Sequence, residues 1–339
     1  MRPLTAGTAL LLAAAVPAVV VLTSGCSSAA PASATSAATS LAAVRSASAA
    51  SAPSRAAAST TTQASPSGIV PLLGPTPSSW EGGHAVPVAP RWWPQGKTHP
   101  SQPWPALWPR PVEFSPTAHG PLSGIVIALD PGHDIGNGRH VSLINKKYWV
   151  GLTKICNTTG TATNAGYPEA TYNFDVAARL RRLLVAAGAT VVVTRDRNST
   201  STYGPCVGAR GAFPVQEHAA FMLQIHADGG PSTGRGFHVI APAYYKGYTD
   251  DMWIASRAFG QAMVTGMKAT GFRPSTYLSS VIQVRKDQGG LNTSDVPTVT
   301  VETLNMRNAA DAAIAMSASG RQKVAAGLYA GILRYARTR

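Results

Sequence analysis

The sequence predicts an α/β fold: a single domain around one mostly parallel, mixed sheet covered by helices on both faces. Two observations carry this reading. Short runs of mainly apolar or β-branched residues recur at 125–129, 190–194, 221–225 and 297–301, the pattern of strands buried on both faces. Between them lie stretches whose apolar residues recur every three or four positions. Strands therefore alternate with helices, which implies parallel neighbours joined by right-handed crossovers. The domain is expected over 121–339, preceded by a disordered region.

The first 120 residues obey a different logic. Arg2 precedes an apolar run over 8–22, shorter than the roughly 20 residues needed to span a bilayer. A secretory signal over 1–25 is expected. Leu22-Thr23-Ser24-Gly25-Cys26 resembles the cleavage box of bacterial lipoproteins, with Thr23 where Leu is usual. It predicts lipidation of Cys26, with plain secretion as the alternative. Residues 27–76 are Ala, Ser, Thr and Pro with almost no large apolar side chain. They cannot bury enough surface to offset ordering entropy, which predicts a disordered tether. Trp80, Trp92, Trp93, Trp104 and Trp108 then stand among many prolines, a density that precludes regular helix. They are expected to pack on the following domain as an extended arm rather than to stack on sugar rings. Tether and arm together span 26–120.

Within the domain, the strand at 125–129 is stopped by Asp130-Pro131-Gly132, which presents His133 beyond its carboxyl end. In open α/β sheets ligands bind at that edge. The Gly-, Asn- and Thr-rich stretch 134–167 reads as a long loop. Pro168 suits a first helical position. Val176, Leu180, Leu183, Leu184 and Ala187 form one apolar face that ends at Gly188. Glu169 falls in the first turn, where the helix dipole favours a carboxylate. Strand 190–194 follows, then a helix over 207–219. Strand 221–225 ends in His226-Ala227-Asp228-Gly229-Gly230. Further elements are expected at 236–241 (strand), 250–270 (helix) and 278–285 (short strand). The strand at 297–301 ends in Glu302. Asn308 and Asp311 mark a helix start, and a last helix opens at Ser319 with Val324, Leu328, Ile332 and Tyr335 on one face.

The chain carries a net charge of +14. No nucleic-acid-binding motif accompanies it, so the partner that charge predicts is an anionic cell envelope, with no nucleic acid. Nothing in the sequence calls for more than a monomer. With Cys26 lipidated, Cys156 and Cys206 remain as an even pair, and in an oxidising compartment they are expected to form a disulfide.

Three strand ends thus deliver His133, His226 and Glu302, and one helix start delivers Glu169. Two imidazoles and a carboxylate suit a catalytic zinc, which takes three protein ligands and leaves a fourth position for water. By residue type alone, either Glu169 or Glu302 can be the third ligand, and the other is free to move protons.

Leu129-Asp130-Pro131-Gly132-His133, Pro168-Glu169, Leu223-Gln224-Ile225-His226-Ala227-Asp228 and Val301-Glu302-Thr303-Leu304-Asn305-Met306-Arg307-Asn308 resemble, in order, the motif blocks of zinc-dependent N-acetylmuramoyl-L-alanine amidases. The likeness runs from about 124 to the carboxyl terminus and is greatest to short actinobacterial members, which match Tyr167-Pro168-Glu169, Gly204-Pro205-Cys206-Val207 and Gly234-Arg235-Gly236-Phe237-His238. It implies a hydrolase with one Zn2+ that cuts between N-acetylmuramic acid and L-alanine in peptidoglycan or muropeptides. It also implies that His133, Glu169 and His226 are ligands and Glu302 the catalytic residue. Asp134, where Gly or Asn is common, and Thr303-Leu304, where a smaller pair is common, depart from the pattern and bear on cleft shape.

Arg285, just before the last strand, is a candidate for holding a substrate carboxylate or else a solvated charge. His238 is expected to be packed, and Asp130 to shape its turn or orient a ligand histidine. His140 and His218 have no neighbour that suggests chemistry. The rival readings are a zinc peptidase acting within the stem peptide and a non-catalytic envelope-binding lipoprotein on the same fold. An exported protein, lipid-anchored on the outer face of the cytoplasmic membrane or secreted to the cell wall, is expected.

Overall fold

A computed structural model describes residues 77–86 and 107–339, within the compact unit Gln63–Arg339. The expected signal over 1–25, Cys26, the stretch to 76, and Trp92, Trp93 and Trp104 lie outside the described residues. In chain order the strands are β1 (His84–Ala85), β2 (Val112–Phe114), β3 (Val126–Pro131), β4 (Lys147–Trp149), β5 (Thr153–Ile155), β6 (Thr190–Val193), β7 (Phe221–Asp228), β8 (His238–Pro242), β9 (Ile282–Arg285) and β10 (Thr298–Asn305). The helices are α1 (Val141–Ile144), α2 (Glu169–Ala186), α3 (Val207–Gln216), α4 (Trp253–Ala269), α5 (Gly289–Asn292), α6 (Ala309–Met316) and α7 (Ala318–Ala336).

Among the described residues, eight strands form one mixed sheet in the order β1-β2-β6-β3-β7-β10-β8-β9. The central four, β6, β3, β7 and β10, are parallel, as strands alternating with crossover helices are expected to be. Alternate residues of these strands supply two cores. Leu129, Val191, Leu223 and Val301 face the layer of α2, α4 and α7, whereas Ala128, Val192 and Met222 pack with Phe213 of α3. Both faces are covered, so no strand can afford a polar residue unless a partner or a cleft meets it.

The structure departs from the sequence reading in four places. First, Val112–Phe114 is a strand, antiparallel to β6, so the sheet extends upstream of residue 121. Three residues between prolines are too few for a periodicity. Second, the stretch 134–167 is not a bare loop. It holds a 3₁₀ helix (Ile135–Arg139) capped by Asp134, then α1 and the β4–β5 hairpin. A Cys156–Cys206 disulfide ties the hairpin's exit to the start of α3. Third, β7 and β10 run past His226 and Glu302 rather than ending there. Fourth, several bounds are shorter than expected: β8 starts at His238, because Gly236 has φ +98°, β9 starts at Ile282, and α3 ends at Gln216. The last helix is capped by Ser317, whose side chain accepts from the Gly320 N–H, rather than opening at Ser319.

Trp80 reaches the domain. Its ring lies 4.2 Å from that of Phe174 and 5.8 Å from that of Phe114, and its indole N–H donates to the Arg195 carbonyl at 2.7 Å.

Candidate active site

Beyond the end of β3 the chain turns at Gly132 and places His133 in the left-handed region, at φ +59°. A non-glycine residue there is held by its surroundings. Arg210 donates to the His133 carbonyl at 2.5 Å. The imidazole Nδ1 lies 3.1 Å from the Thr158 carbonyl, which leaves Nε2 facing Glu169 Oε2 at 3.2 Å. Glu169 is the first residue of α2, so the helix dipole favours its charge. It accepts from the backbone N–H of Thr161 at 2.9 Å and of Ala227 at 3.2 Å, and from the Asn173 amide at 3.2 Å. His226 Nδ1 lies 3.0 Å from Glu169 Oε1. One ligand atom from each of His133, Glu169 and His226 falls within 4.8 Å of the other two. Gly160, at φ +76°, closes over this group, and a Cβ there would lie 2.7 Å from Glu169 Oε2 and 2.8 Å from the His133 ring.

Burial alone would raise the Glu169 pKa, but His133 and His226 hold it well below the usual carboxylate range. The reciprocal effect acts on His133: burial lowers its pKa, and Glu169 more than restores it, for a net rise.

Glu302 is the register partner of His226 on one side and of His238 on the other. Residues so paired point to the same face of a sheet, so the three side chains stand in a row across β7, β10 and β8. Glu302 Oε2 is buried without a hydrogen-bond partner among the described residues. Burial raises its pKa well above the usual range, Glu169 and Asp228 add to the rise, and Arg285 opposes it. His238 is 5% exposed, and its Nδ1 also has no partner among the described residues. Burial lowers its pKa against the pull of Asp228. The Tyr277 hydroxyl donates to Asp228 Oδ2 at 2.8 Å. Arg285, expected to meet a substrate carboxylate, donates to both oxygens of Asp287 at 2.7 and 2.6 Å.

Beneath the cluster, Asp130 does not orient a histidine. It accepts from the Thr194 hydroxyl and from Arg210, both at 2.6 Å, and from the Gln224 amide at 3.3 Å. A cavity of about 70 Å³ lined by His133, His226, Gln224 and Thr300 lies above this network. Arg195 joins the end of β3 to the start of α2 by donating to the Pro131 and Ala170 carbonyls at 3.1 and 2.9 Å, and burial pushes its pKa down to about 9. His140 stacks on Tyr203, away from this chemistry.

The family model described as N-acetylmuramoyl-L-alanine amidase (Amidase_3) matches residues 127–334. This chain belongs to that family. The amidase is 35% identical over 225 residues to the N-acetylmuramoyl-L-alanine amidase Rv3717 of Mycobacterium tuberculosis, covering 64% of this chain and 88% of the relative. Among solved structures, the N-acetylmuramyl-L-alanine amidase Ami1 of Mycobacterium smegmatis superposes with a TM-score of 0.60 at 34% identity, over 64% of this chain and 99% of that one. The apo form of Ami1 from Mycobacterium abscessus gives 0.57 at 34% identity, over 63% and 99%. Sequence reasoning about the amidase missed Arg195, Asp228 and Tyr277. Only the alternation His226-Ala227-Asp228, with the Ala turned into the core, signals that Asp228 continues the cleft-facing row.

Proposed function

We propose that this amidase holds one zinc ion with His133, Glu169 and His226, and that Glu302 carries the proton during hydrolysis of the bond between N-acetylmuramic acid and L-alanine. The observation that carries the reading is the convergence of three ligand atoms within 4.8 Å beside a buried carboxylate oxygen that has no partner. The donor set fits zinc. Two imidazoles and one carboxylate make a common catalytic set for zinc, and here one such atom from each residue lies within 4.8 Å of the other two. When bound, zinc supplies a positive charge that lowers the pKa of water and polarises the amide carbonyl. That charge also offsets the negative surroundings that raise Glu302.

The protein's own residues do the rest. Glu302 takes one proton from the attacking water, whose oxygen bonds to the lactyl carbonyl carbon. The C–N bond then breaks, and Glu302 returns the proton to the alanine nitrogen, because an amine leaves poorly unless protonated. Thr158 fixes the His133 ring, and Thr161, Asn173 and Ala227 fix Glu169, so neither ligand must reorganise. Peptidoglycan or its muropeptide fragments are the substrates, met outside the cytoplasm after export by the segment 1–25. The basic surface would retain the protein at the anionic envelope.

The test is zinc content together with product identity. We expect about one zinc per chain, release of intact stem peptides from defined muropeptides by mass spectrometry, and loss of both with a chelator. Cleavage inside the stem peptide, or undiminished release after zinc removal, would overturn the reading.

A further inference from the structure

Glu302 and His238 face each other across β10 and β8, and each carries a buried polar atom without a partner, Oε2 and Nδ1. Directly paired residues in an antiparallel ladder have Cβ atoms about 4.5–5.5 Å apart, so the two side chains are immediate neighbours on one face of the sheet. A native structure rarely leaves two such groups adjacent at no gain. We propose that His238 is a positioning residue for Glu302, whose Nδ1 accepts a hydrogen bond from Oε2–H once Glu302 has taken the proton from water.

The neighbourhood suits an acceptor. Burial disfavours the imidazolium, with Arg285 acting in the same direction and Asp228 against it, so the ring is neutral and has a lone pair to offer. Asp228 is engaged by the Tyr277 hydroxyl and Arg285 by Asp287. The Tyr277 ring stands edge-on to His238 at 6.3 Å, and its bulk limits where the imidazole can turn. His238 does not touch the reacting atoms. It holds the protonated carboxyl at the rim of the cleft, and the O–H leaves Nδ1 to give its proton to the departing nitrogen as the C–N bond breaks.

This inference rests on the proton-carrying role of Glu302 proposed above. The experiment compares His238→Leu, His238→Asn and His238→Gln with Glu302→Gln in the zinc-loaded enzyme on one defined muropeptide. His238→Leu should lower kcat about 10- to 100-fold, a part of the gain general acid–base groups give, with KM within about twofold and with zinc content and Tm retained. Asn sets an amide near the position of Nδ1 and should recover most of kcat; Gln sets its amide near Nε2 and should not. A His238→Leu enzyme within twofold of wild type, a loss confined to KM, or equal recovery by Asn and Gln would overturn the proposal. If His238→Leu fails to fold, the Asn and Gln pair decides. Activity retained in Glu302→Gln would sink the role of Glu302 itself. An inactive Glu302→Gln with normal His238 variants would sink only the inference about His238.

Discussion

The two banks of the cleft treat buried carboxylates in opposite ways. On the bank built by β3, α2 and β7, Glu169 accepts from three N–H donors and faces two imidazoles, and its charge is strongly favoured. On the bank built by β10, β8 and β9, Glu302 has an oxygen with no partner among the described residues, and burial, with Glu169 and Asp228 adding, disfavours its charge. A group that must stay charged to grip a cation is satisfied in advance. A group that must gain and lose a proton is left without fixed donors, because donors to the carboxylate would penalise the protonated form it has to pass through. The difference separates holding from transferring.

The largest test splits the banks by activity. Glu302→Gln should lower hydrolysis by about 10³-fold or more, equivalent to roughly 4 kcal/mol in the barrier, while zinc stays bound. His133→Ala should lose both zinc and hydrolysis. Muropeptide release measured beside zinc content checks the pair, and zinc lost from Glu302→Gln would erase the distinction between the banks.

How far the site was readable in the chain follows the same division. Runs of mainly apolar or β-branched residues marked β3, β6, β7 and β10, and the residues that follow them are the ones that converge: His133, His226 and Glu302. Glu169 was visible as a helix start. The continuation of β7 through Asp228 and of β10 through Asn305 was hidden, because a strand bordering a cleft turns polar on one face and then resembles a loop. The facing of Glu302 and His238 depends on the register of β10 against β8, which no local window reports. Val112–Phe114 is a strand because β6 offers it an edge, not because of its own pattern.

The next effect concerns the support beneath the ligand bank. Arg210 pairs with Asp130 and holds the Pro131, His133, Gly204 and Pro205 carbonyls. Arg210→Met leaves Asp130 buried without its cation, and removal of one partner from such a pair costs about 3–5 kcal/mol. Urea unfolding should show that loss, with weaker zinc binding because His133 loses its anchor. A stability change under 1 kcal/mol would mean that Asp130 is as well satisfied by Thr194 and Gln224 alone.

Removing the disulfide should act on the same bank more gently. Cys156 and Cys206 are separated by 50 positions, and a native bridge contributes about 2–4 kcal/mol. The bridge lies two residues before Thr158, which fixes the His133 ring. The Cys156→Ser/Cys206→Ser variant should unfold at lower urea and bind zinc less tightly, with kcat at saturating zinc nearly unchanged. A fall in kcat at full zinc loading would show that the bridge shapes the proton-transfer bank too.

The smallest effect is the most discriminating, because it reverses sign between the two glutamates. In zinc-free protein the raised Glu302 pKa means that the folded chain binds a proton the unfolded chain has already lost. That contribution to stability is fully present below the ordinary glutamate pKa of about 4.3 and is lost as pH rises through the folded value. Glu302→Gln should therefore raise zinc-free stability at neutral pH by about 1 kcal/mol, the scale of one unsatisfied buried polar group, and the gain should fade in acid. Glu169 has a depressed pKa, so its contribution is present above the ordinary value and lost as pH falls through the folded one. Glu169→Gln should lower neutral-pH stability, with the deficit shrinking in acid. Thermal melts of both zinc-free variants from pH 4 to pH 8 would read the two slopes directly. Slopes of the same sign would mean that both carboxylates are built for one task, and the division between holding and transferring would fail.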